Sequence, residues 1–440
     1  MLRKPAGLDP TLVAVVVEGF FSRLSFGLVS FALPLYALEL GLGIAAIGLL
    51  ASLNLMVALA LKPLMGWVAD RVGLKLSLVV ATVLRSAVSL LLVFATVPWQ
   101  LFATRSLHGL SISLRDPAVN ALIAEYGGRR TIASAFAWYQ TAKSVAGSLG
   151  KALAGLAITL TASNFSLVFG IAFVLSAVPV YVVVRRVQEP KRRVPQAEAL
   201  ARLADEEAAV AAETGSRACV EGRPRALPFV GAGFLISGSG HMLSTLFPVL
   251  ATEYAGLTAA QAGSLYLVST VVTLSGPLFG WLSDNVSRAL VLRVRSAANV
   301  ASSVVYLAFP GLVGFLAGRA LDDAGKAAFK PAWGALMAHV SSFDRSRRAQ
   351  TMSYMSAGED AGEMAGPVLA GVLWATGGVG LLLGVRIGVA VLAEAWTVVV
   401  TRTLDRGEER QERHTGQPPL GPSERGSAER EAASIELSPP

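Results

Sequence analysis

The sequence predicts an all-α membrane protein made of two similar six-helix bundles. Three observations support this fold class: the composition, the spacing of apolar blocks and an internal repeat. Of the 440 residues, 53% are hydrophobic and only 15% are charged, whereas about a quarter of a soluble domain is charged. The apolar residues also form blocks of roughly 20 residues or more, which is the length a helix needs to cross ~30 Å of hydrocarbon. A membrane barrel would show short alternating segments instead.

Twelve such blocks follow one another along the chain, and each is interpreted as one transmembrane helix. They lie near 11–38, 43–69, 74–96, 98–124, 131–160, 164–186, 226–252, 258–283, 289–309, 311–340, 348–376 and 378–402.

Basic residues lie on one side of this arrangement. Lys and Arg occur at the N-terminus and in the connections after even-numbered blocks, for example at Arg71, Lys75 and Arg129, and the connections after odd-numbered blocks carry none. Because basic loops stay in the cytoplasm, we expect both termini there. The net charge of +8 therefore indicates topology and not a nucleic-acid partner.

The polar segments divide the chain into four predicted parts. Residues 1–186 form the first half, 187–225 a cytoplasmic linker, 226–402 the second half and 403–440 a disordered cytoplasmic tail. The linker and tail are interpreted as a tether and a solubilising segment, with regulatory docking as the alternative. The only cysteine, Cys219, lies in the linker, which excludes an intrachain disulfide.

The two halves repeat each other at an offset of 214 residues. Each half begins and ends on the same side, so the repeat is parallel, an arrangement that places substrate sites at the interface of the halves near the midplane. The matching pairs are Pro34 and Pro248, Glu39 and Glu253, Pro63 and Pro277, Gly66 and Gly280, Trp67 and Trp281, Asp70 and Asp284, Arg105 and Arg319, and Pro117 and Pro331.

Three segments carry a resemblance to a known family. GWVADRVGLK, which begins at Gly66, resembles the loop signature between the second and third helices of the major facilitator superfamily. RSLHGLSIS from Arg105 resembles that family's helix-four pattern, and AGEMAGPVLAG from Ala361 resembles its antiporter signature. The resemblance covers about residues 11–402 and implies two bundles around a central cavity and transport by alternating access.

This resemblance implies roles for particular residues. In the loop signature, a latch that holds one conformation is expected, with enforcement of topology as the alternative; Gly66 is expected to let two helices approach and Gly73 to allow the turn. The latch residues are Gly66, Asp70, Arg71, Gly73, Lys75 and, in the degraded second copy, Asp284. The helix-four motif comprises Arg105, Gly109 and Arg319, and the helix-packing motif comprises Gly150, Gly155, Gly366, Pro367 and Gly371. Arg105 matches a family position implicated in proton transfer, but it also lies near the end of its block, where its side chain could snorkel.

Charged residues inside the blocks are candidates for function because a charge at the bilayer centre costs about 2.5–3.5 kcal/mol on insertion scales. They concentrate in blocks four, five, ten and eleven, with Glu18 and Arg23 in block one, whereas blocks three, six, nine and twelve are nearly bare and are expected to face lipid. The predicted substrate-binding or proton-coupling residues are Arg115, Asp116, Lys143, Lys151, His241, Asp322, Asp323, Lys326, Glu359, Asp360 and Glu363.

Spacing adds two details. Asp322 and Lys326 are four residues apart with the acid first, which favours an ion pair along one helix. Glu359 and Glu363 share a stripe, which predicts a site that can carry a proton. Lys143 and Lys151 would repel lipophilic cations and so favour an anionic or zwitterionic solute, or pairing with the acids of block eleven.

Three interpretations of the charges remain open at this point: a proton-coupled solute site, ion pairs that switch between conformations, and static structural pairs. The overall prediction is a monomeric secondary transporter of a small polar or charged solute in a bacterial inner membrane, with proton-coupled efflux by antiport. The alternatives are a proton-coupled uptake symporter, a metal-cation importer and a transporter-like receptor without flux. No phosphate-binding loop, metal-ligand cluster or nucleophile motif is present, so neither an enzyme nor a cofactor is expected.

Overall fold

Twelve helices make up the regular structure in the described part of the chain. The computed structural model describes residues 10–126, 132–189, 227–273, 288–342 and 348–415. The first half contains α1 (Pro10–Glu39), α2 (Ile44–Val72), α3 (Leu74–Val93), α4 (Pro98–Tyr126), α5 (Ile132–Leu160) and α6 (Phe165–Arg186). The second half contains α7 (Leu227–His241), α8 (Ala259–Thr273), α9 (Arg288–Ala308), α10 (Leu312–Ser342), α11 (348–376) and α12 (379–415).

Two places in the second half depart from a simple helix. After α7, the chain turns and continues as a short helix, Phe247–Val249, and a π-helical segment, Leu250–Tyr254. Helices α11 and α12 run on within Arg348–Thr415 but are separated at Gly377 and Gly378, whose backbone is not helical. Gly378 has φ +71°, a conformation that glycine adopts without strain.

The helices confirm the twelve predicted blocks and correct one boundary. Helix α12 extends to Thr415, so the prediction of disorder from residue 403 is wrong for 403–415. The segment is rich in Arg, Glu and Gln, which are good helix formers, and Glu409 lies four residues before Arg413. The linker 190–226 and residues 416–440 lie outside the described residues.

Five segments of these helices are long and apolar enough to cross a membrane by length and composition. They are Pro10–Glu39, Ile44–Lys62, Leu74–Val93, Phe165–Arg186 and Tyr354–Val400, the last of which includes the break between α11 and α12. Helices α4, α5 and α10 have 29, 29 and 31 residues, so they are long enough at 1.5 Å per residue, and α4 and α10 carry several of the charged residues discussed below.

Each half packs as a bundle, and two helix pairs join the halves. In the first half α1 packs on α5 and α6, α2 on α4, and α3 on α4 and α6. In the second half α7 packs on α11, and α9 on α10 and α12. The halves meet where α5 packs on α8 and α2 packs on α11.

The two ends of the molecule differ in how the apolar core is divided. We call the end that carries the connections after odd-numbered helices the odd-loop end, and the other the termini end. At the odd-loop end one cluster is shared by both halves and includes Phe31, Phe169, Phe247 and Tyr266. At the termini end each half has its own cluster among the described residues. The halves are therefore sealed together at the odd-loop end.

Glycine pairs allow the backbones to approach closely in this seal. A Cβ atom at Gly155 of α5 would lie 2.2 Å from the carbonyl oxygen of Ala259, and one at Gly371 of α11 would lie 3.0 Å from Cα of Gly48 in α2. Such distances leave no room for a side chain. The two contacts occupy corresponding places in the repeat.

Candidate functional site

A cavity of about 150 Å³ lies between the halves, on the termini side of the seal. Helices α2 and α4 supply Lys62 and Asp116, and α11 supplies Asp360 and Glu363. Apolar side chains of the same helices complete the walls. Three carboxylates and one ammonium group therefore face a space that both halves enclose.

Glu363 is connected to α7 through His241. The Nε2 atom of His241 lies 3.8 Å from Glu363 Oε1, and its Nδ1 atom lies 2.9 Å from the carbonyl oxygen of Ser237. A carbonyl oxygen only accepts, so Nδ1 carries the hydrogen that it donates. Nε2 is then the atom that gains or loses a proton, and gaining one turns the contact with Glu363 into an ion pair.

A buried ion pair ties α1 to α4 beside the cavity. Arg115 binds Glu18 with two hydrogen bonds, Nε to Oε1 at 2.9 Å and Nη2 to Oε2 at 2.7 Å. Tyr139 of α5 and Ser22 of α1 complete the network. Asp116 lies 3.3 Å from the same guanidinium and is 44% exposed, so it is the member that reaches the cavity.

A second network holds the acids of α10. Asp322 accepts from Arg386 at 2.6 Å and from Lys326 at 2.7 Å, so the predicted pair along the helix is present. Asp323 forms an ion pair with Arg319 at 2.8 Å and accepts a hydrogen bond from Ser269 of α8. Most of these groups are buried, and the network connects α8, α10 and α12.

The sequence interpretation missed three buried arginines. Arg85, Arg295 and Arg386 lie on α3, α9 and α12 and are 8%, 2% and 0% exposed. The expectation that these helices are nearly bare and face lipid is therefore wrong, because each turns one cation into its own bundle. Arg386 also donates to the backbone oxygen of Ser239 in α7. The signal was present in the sequence, since a single Arg inside a long apolar block seldom faces lipid.

The two lysines of α5 lie against aromatic rings. Lys143 Nζ is 4.9 Å from the ring centroid of Tyr139, and Lys151 Nζ is 4.3 Å from that of Tyr266 in α8. The faces of aromatic rings attract cations. Neither lysine lines the cavity, and neither forms an ion pair with the acids of α11 within the described residues, so the alternative of such pairing is wrong in this conformation.

Glu359 and Glu363 differ in their surroundings. Glu359 is 9% exposed, whereas the side chain of Glu363 is 39% exposed and lines the cavity. The cavity thus holds one of the two carboxylates that share the predicted stripe, and it also contains Asp360.

The loop signature takes only part of its expected form. Gly73 has φ +114° between α2 and α3, as the predicted turn requires. The backbone N–H groups of Leu74 and Lys75 both donate to the carboxylate of Glu189 at 2.8 Å, and the guanidinium of Arg71 stacks on Trp67 at 4.0 Å.

The expectation for Gly66 is wrong in this conformation. No atom of the described residues lies within 4 Å of a Cβ atom built there, because the halves are apart at the termini end. Asp284 and the side chain of Asp70 lie outside the described residues.

The other motif residues serve packing or are buried. A Cβ atom at Gly109 would lie 2.5 Å from the carbonyl oxygen of Asn54, and glycines of the packing motif bring α1 against α5 and α7 against α11. Arg105 is 4% exposed, so it does not snorkel to the surface. The packing-motif contacts are Gly150 with Gly27, Gly366 with Gly238, Gly155 with Gly263, and Gly371 with Gly48, and the carbonyl oxygen of Pro367 faces Gly48.

Two six-helix bundles that seal at one end and enclose charged side chains at the other define a polytopic transporter of the alternating-access class. A family model described as Major Facilitator Superfamily matches residues 16–312 and 229–435. The chain belongs to this superfamily. No group of three or more His, Cys, Asp or Glu side chains in the described segments is placed to hold a metal ion.

Similar proteins agree with this assignment. Over 182 residues the chain is 28% identical to Multidrug resistance protein 1 of Bacillus subtilis (strain 168), a match that covers 41% of this chain and 46% of that protein. The chain thus spans about half the length of this curated relative.

Solved structures show the same fold at low identity. A peptide transporter, POT, in complex with sulfate superposes with a TM-score of 0.65 at 18% identity and covers 91% of this chain and 97% of its own. A bacterial homolog of the human lysosomal transporter Spinster, inward-facing and occupied, gives 0.66 at 14% identity and covers 90% and 97%.

Proposed function

We propose that this secondary transporter exports a small solute carrying a positive charge in exchange for protons. The observation that carries the proposal is the cavity between the halves, where Asp116, Asp360 and Glu363 outnumber the single cation Lys62. A cationic group gains Coulomb energy there, in a site partly shielded from water. This solute class replaces the expectation of an anion, because Lys143 and Lys151 lie against aromatic rings and not in the cavity.

Glu363 gives the exchange a chemical basis. Its carboxylate can hold either a proton or the charged group of the solute, and it lies 3.8 Å from His241. Protonation of Glu363 removes the negative charge that attracts the solute, so solute and proton compete for one group. This competition produces antiport when the cavity opens to each side in turn.

The basic connections assign a direction to the conformation. They lie at the termini end, which the positive-inside bias places in the cytoplasm. The seal shared by both halves then faces outward, and the cavity opens inward, where an exporter collects its solute. The name of the curated relative, a multidrug resistance protein, supports export of this kind.

Counterflow in proteoliposomes tests this function. Vesicles loaded at acidic pH with a pH-sensitive dye are diluted into neutral buffer, and a panel of organic cations, zwitterions and anions is added outside. We expect cations of one group to raise the internal pH as protons leave in exchange. Glu363→Gln should abolish this response, and Glu394→Gln, which changes a carboxylate of α12 paired with Arg293 away from the cavity, should retain it.

Three results would overturn the proposal. Exchange by Glu363→Gln at the full rate would show that this carboxylate does not carry the coupling. A response to anions alone would show that the solute has the opposite charge. Acidification that accompanies solute entry when the gradient is reversed would indicate symport.

A further inference from the structure

Three cationic or basic side chains surround Phe26 inside the first half, away from the cavity between the halves. The guanidinium carbons of Arg85 and Arg105 lie 5.9 and 5.8 Å from the centroid of the Phe26 ring. The imidazole of His108 stacks on the same ring at 4.7 Å, with 2° between the planes. They come from α3 and α4, and Phe26 belongs to α1. Arg23 of α1 approaches the ring from another side at 5.1 Å.

These groups have hydrogen-bond donors that nothing satisfies. Nε of Arg85, Nε of Arg105 and Nε2 of His108 are buried without a partner in the described chain, and the residues are 8%, 4% and 4% exposed. No carboxylate lies within ion-pair distance of either arginine there; Glu18, the buried acid of this half, binds Arg115. Buried charges and unpaired donors of this kind are costly, so they normally have an anionic partner.

The second half shows what such a partner looks like. At the offset of 214 residues, Arg319 corresponds to Arg105, and Asp322 and Asp323 correspond to His108 and Gly109. Nε of Arg319 binds Asp323 at 2.8 Å, whereas the matching Nε of Arg105 has no partner. The first half therefore keeps the arginine of the repeat but lacks both acids.

The three unpaired groups line one small cavity. Its walls also include Ser25, Ser89 and Thr104, and its volume is about 10 Å³, which is the space of roughly one water molecule. An organic solute is too large for it. We propose that a small monovalent anion of the size of chloride binds here and replaces the carboxylates that the second half has. This inference does not depend on the identity or direction of the transported solute.

Chloride binding to the purified full-length protein tests the proposal. The protein in detergent is exchanged into gluconate buffer and titrated with sodium chloride, and both thermal unfolding and bound radioactive chloride are measured. We expect saturable binding of one chloride per chain and an unfolding temperature that rises with the logarithm of the chloride concentration above the dissociation constant. An equal response to gluconate and chloride, with no bound chloride, would overturn the proposal and leave a water molecule as the occupant.

One variant locates the site. His108→Asp introduces a carboxylate where the second half has Asp322, so we expect it to lose at least tenfold in chloride affinity. Arg293→Gln changes an arginine that is 54% exposed and should bind as the parent does. Unchanged chloride affinity in His108→Asp would place the ion elsewhere and reject this site.

A measurement on the unmodified protein covers the case in which the variant does not fold. Crystals grown in bromide should show one anomalous peak between Arg85, Arg105 and His108. Bromide peaks confined to the surface would contradict the proposal.

Discussion

At the scale of single residues, buried charges hold the first half together more strongly than any surface contact. Glu18 is fully buried and takes both hydrogen bonds of the Arg115 fork, and Tyr139 donates or accepts at the same guanidinium nitrogen. Since a guanidinium has donors only, Tyr139 accepts here. Removing one member leaves the opposite charge buried without compensation.

Glu18→Gln should therefore destabilise the protein by about 3–5 kcal/mol, the range for a broken buried ion pair. The free energy of unfolding, measured by denaturant titration in mixed micelles, checks this. Glu125→Gln changes an exposed acid near the end of α4 and should cost no more than about 0.5 kcal/mol. Equal stability of the two variants would mean that Arg115 finds another anion.

The sequence indicated some of these charged contacts but not others. Asp322 and Lys326 are four residues apart on one helix, so helical geometry alone predicts their pair. Arg386 lies 64 residues from Asp322 in the sequence, and nothing in the local pattern connects them. The contact depends on how α10 and α12 pack, which is a property of the folded bundle.

At the scale of elements, the helices were predictable and the helix interfaces only in part. Apolar blocks fix where α1 to α12 lie, because each must cover the same thickness of hydrocarbon. Glycine motifs indicated close packing, and Gly155 and Gly371 do lie where backbones touch. Gly66 carries an equally clear motif but has no neighbour here, because its contact would require the halves to meet at the termini end.

Gly155→Ala should shift the protein away from the observed conformation. The added Cβ atom would lie 2.2 Å from a backbone oxygen of α8, and overpacking of this kind costs about 1–3 kcal/mol, which corresponds to a population change of roughly 5- to 150-fold. Spin labels at Leu160 and Phe309, in a Cys219→Ser chain, report the separation of the halves at the odd-loop end. We expect a longer distance to gain population.

The control for this experiment is Gly170→Ala on α6, where a Cβ atom meets no neighbour within 4 Å in the described structure. Its distance distribution should match that of the parent chain. The same distribution in Gly155→Ala would show that the contact of α5 with α8 does not limit opening.

At the scale of the whole molecule, the seal at the odd-loop end must part for transport to occur. Besides the glycine contacts, the backbone N–H of Ala260 in α8 donates to the hydroxyl of Thr159 in α5 at 2.9 Å. Phe31 of the first half and Tyr266 of the second pack edge to face at 6.0 Å. All of these contacts must break when the opposite end closes.

A cross-link across the seal should stop transport reversibly. Thr159→Cys with Ala260→Cys, in a Cys219→Ser chain, places two thiols at the contact between α5 and α8. Oxidation should abolish solute exchange in proteoliposomes, and reduction should restore it to the level of the single Thr159→Cys variant. Full exchange by protein that gel mobility shows to be completely cross-linked would rule out rocking of the halves about this contact.

The two gates of this molecule differ in chemistry, and this gives them different responses to temperature. The odd-loop gate joins aromatic and aliphatic surfaces, including Phe31, Phe247 and Tyr266, whereas the surfaces that face each other across the cavity carry Lys62, Asp116, Asp360 and Glu363. Hydrating apolar surface raises the heat capacity and becomes less unfavourable on cooling. A cold membrane therefore holds a larger fraction of these molecules with the apolar gate open, and warming returns them to the conformation described above.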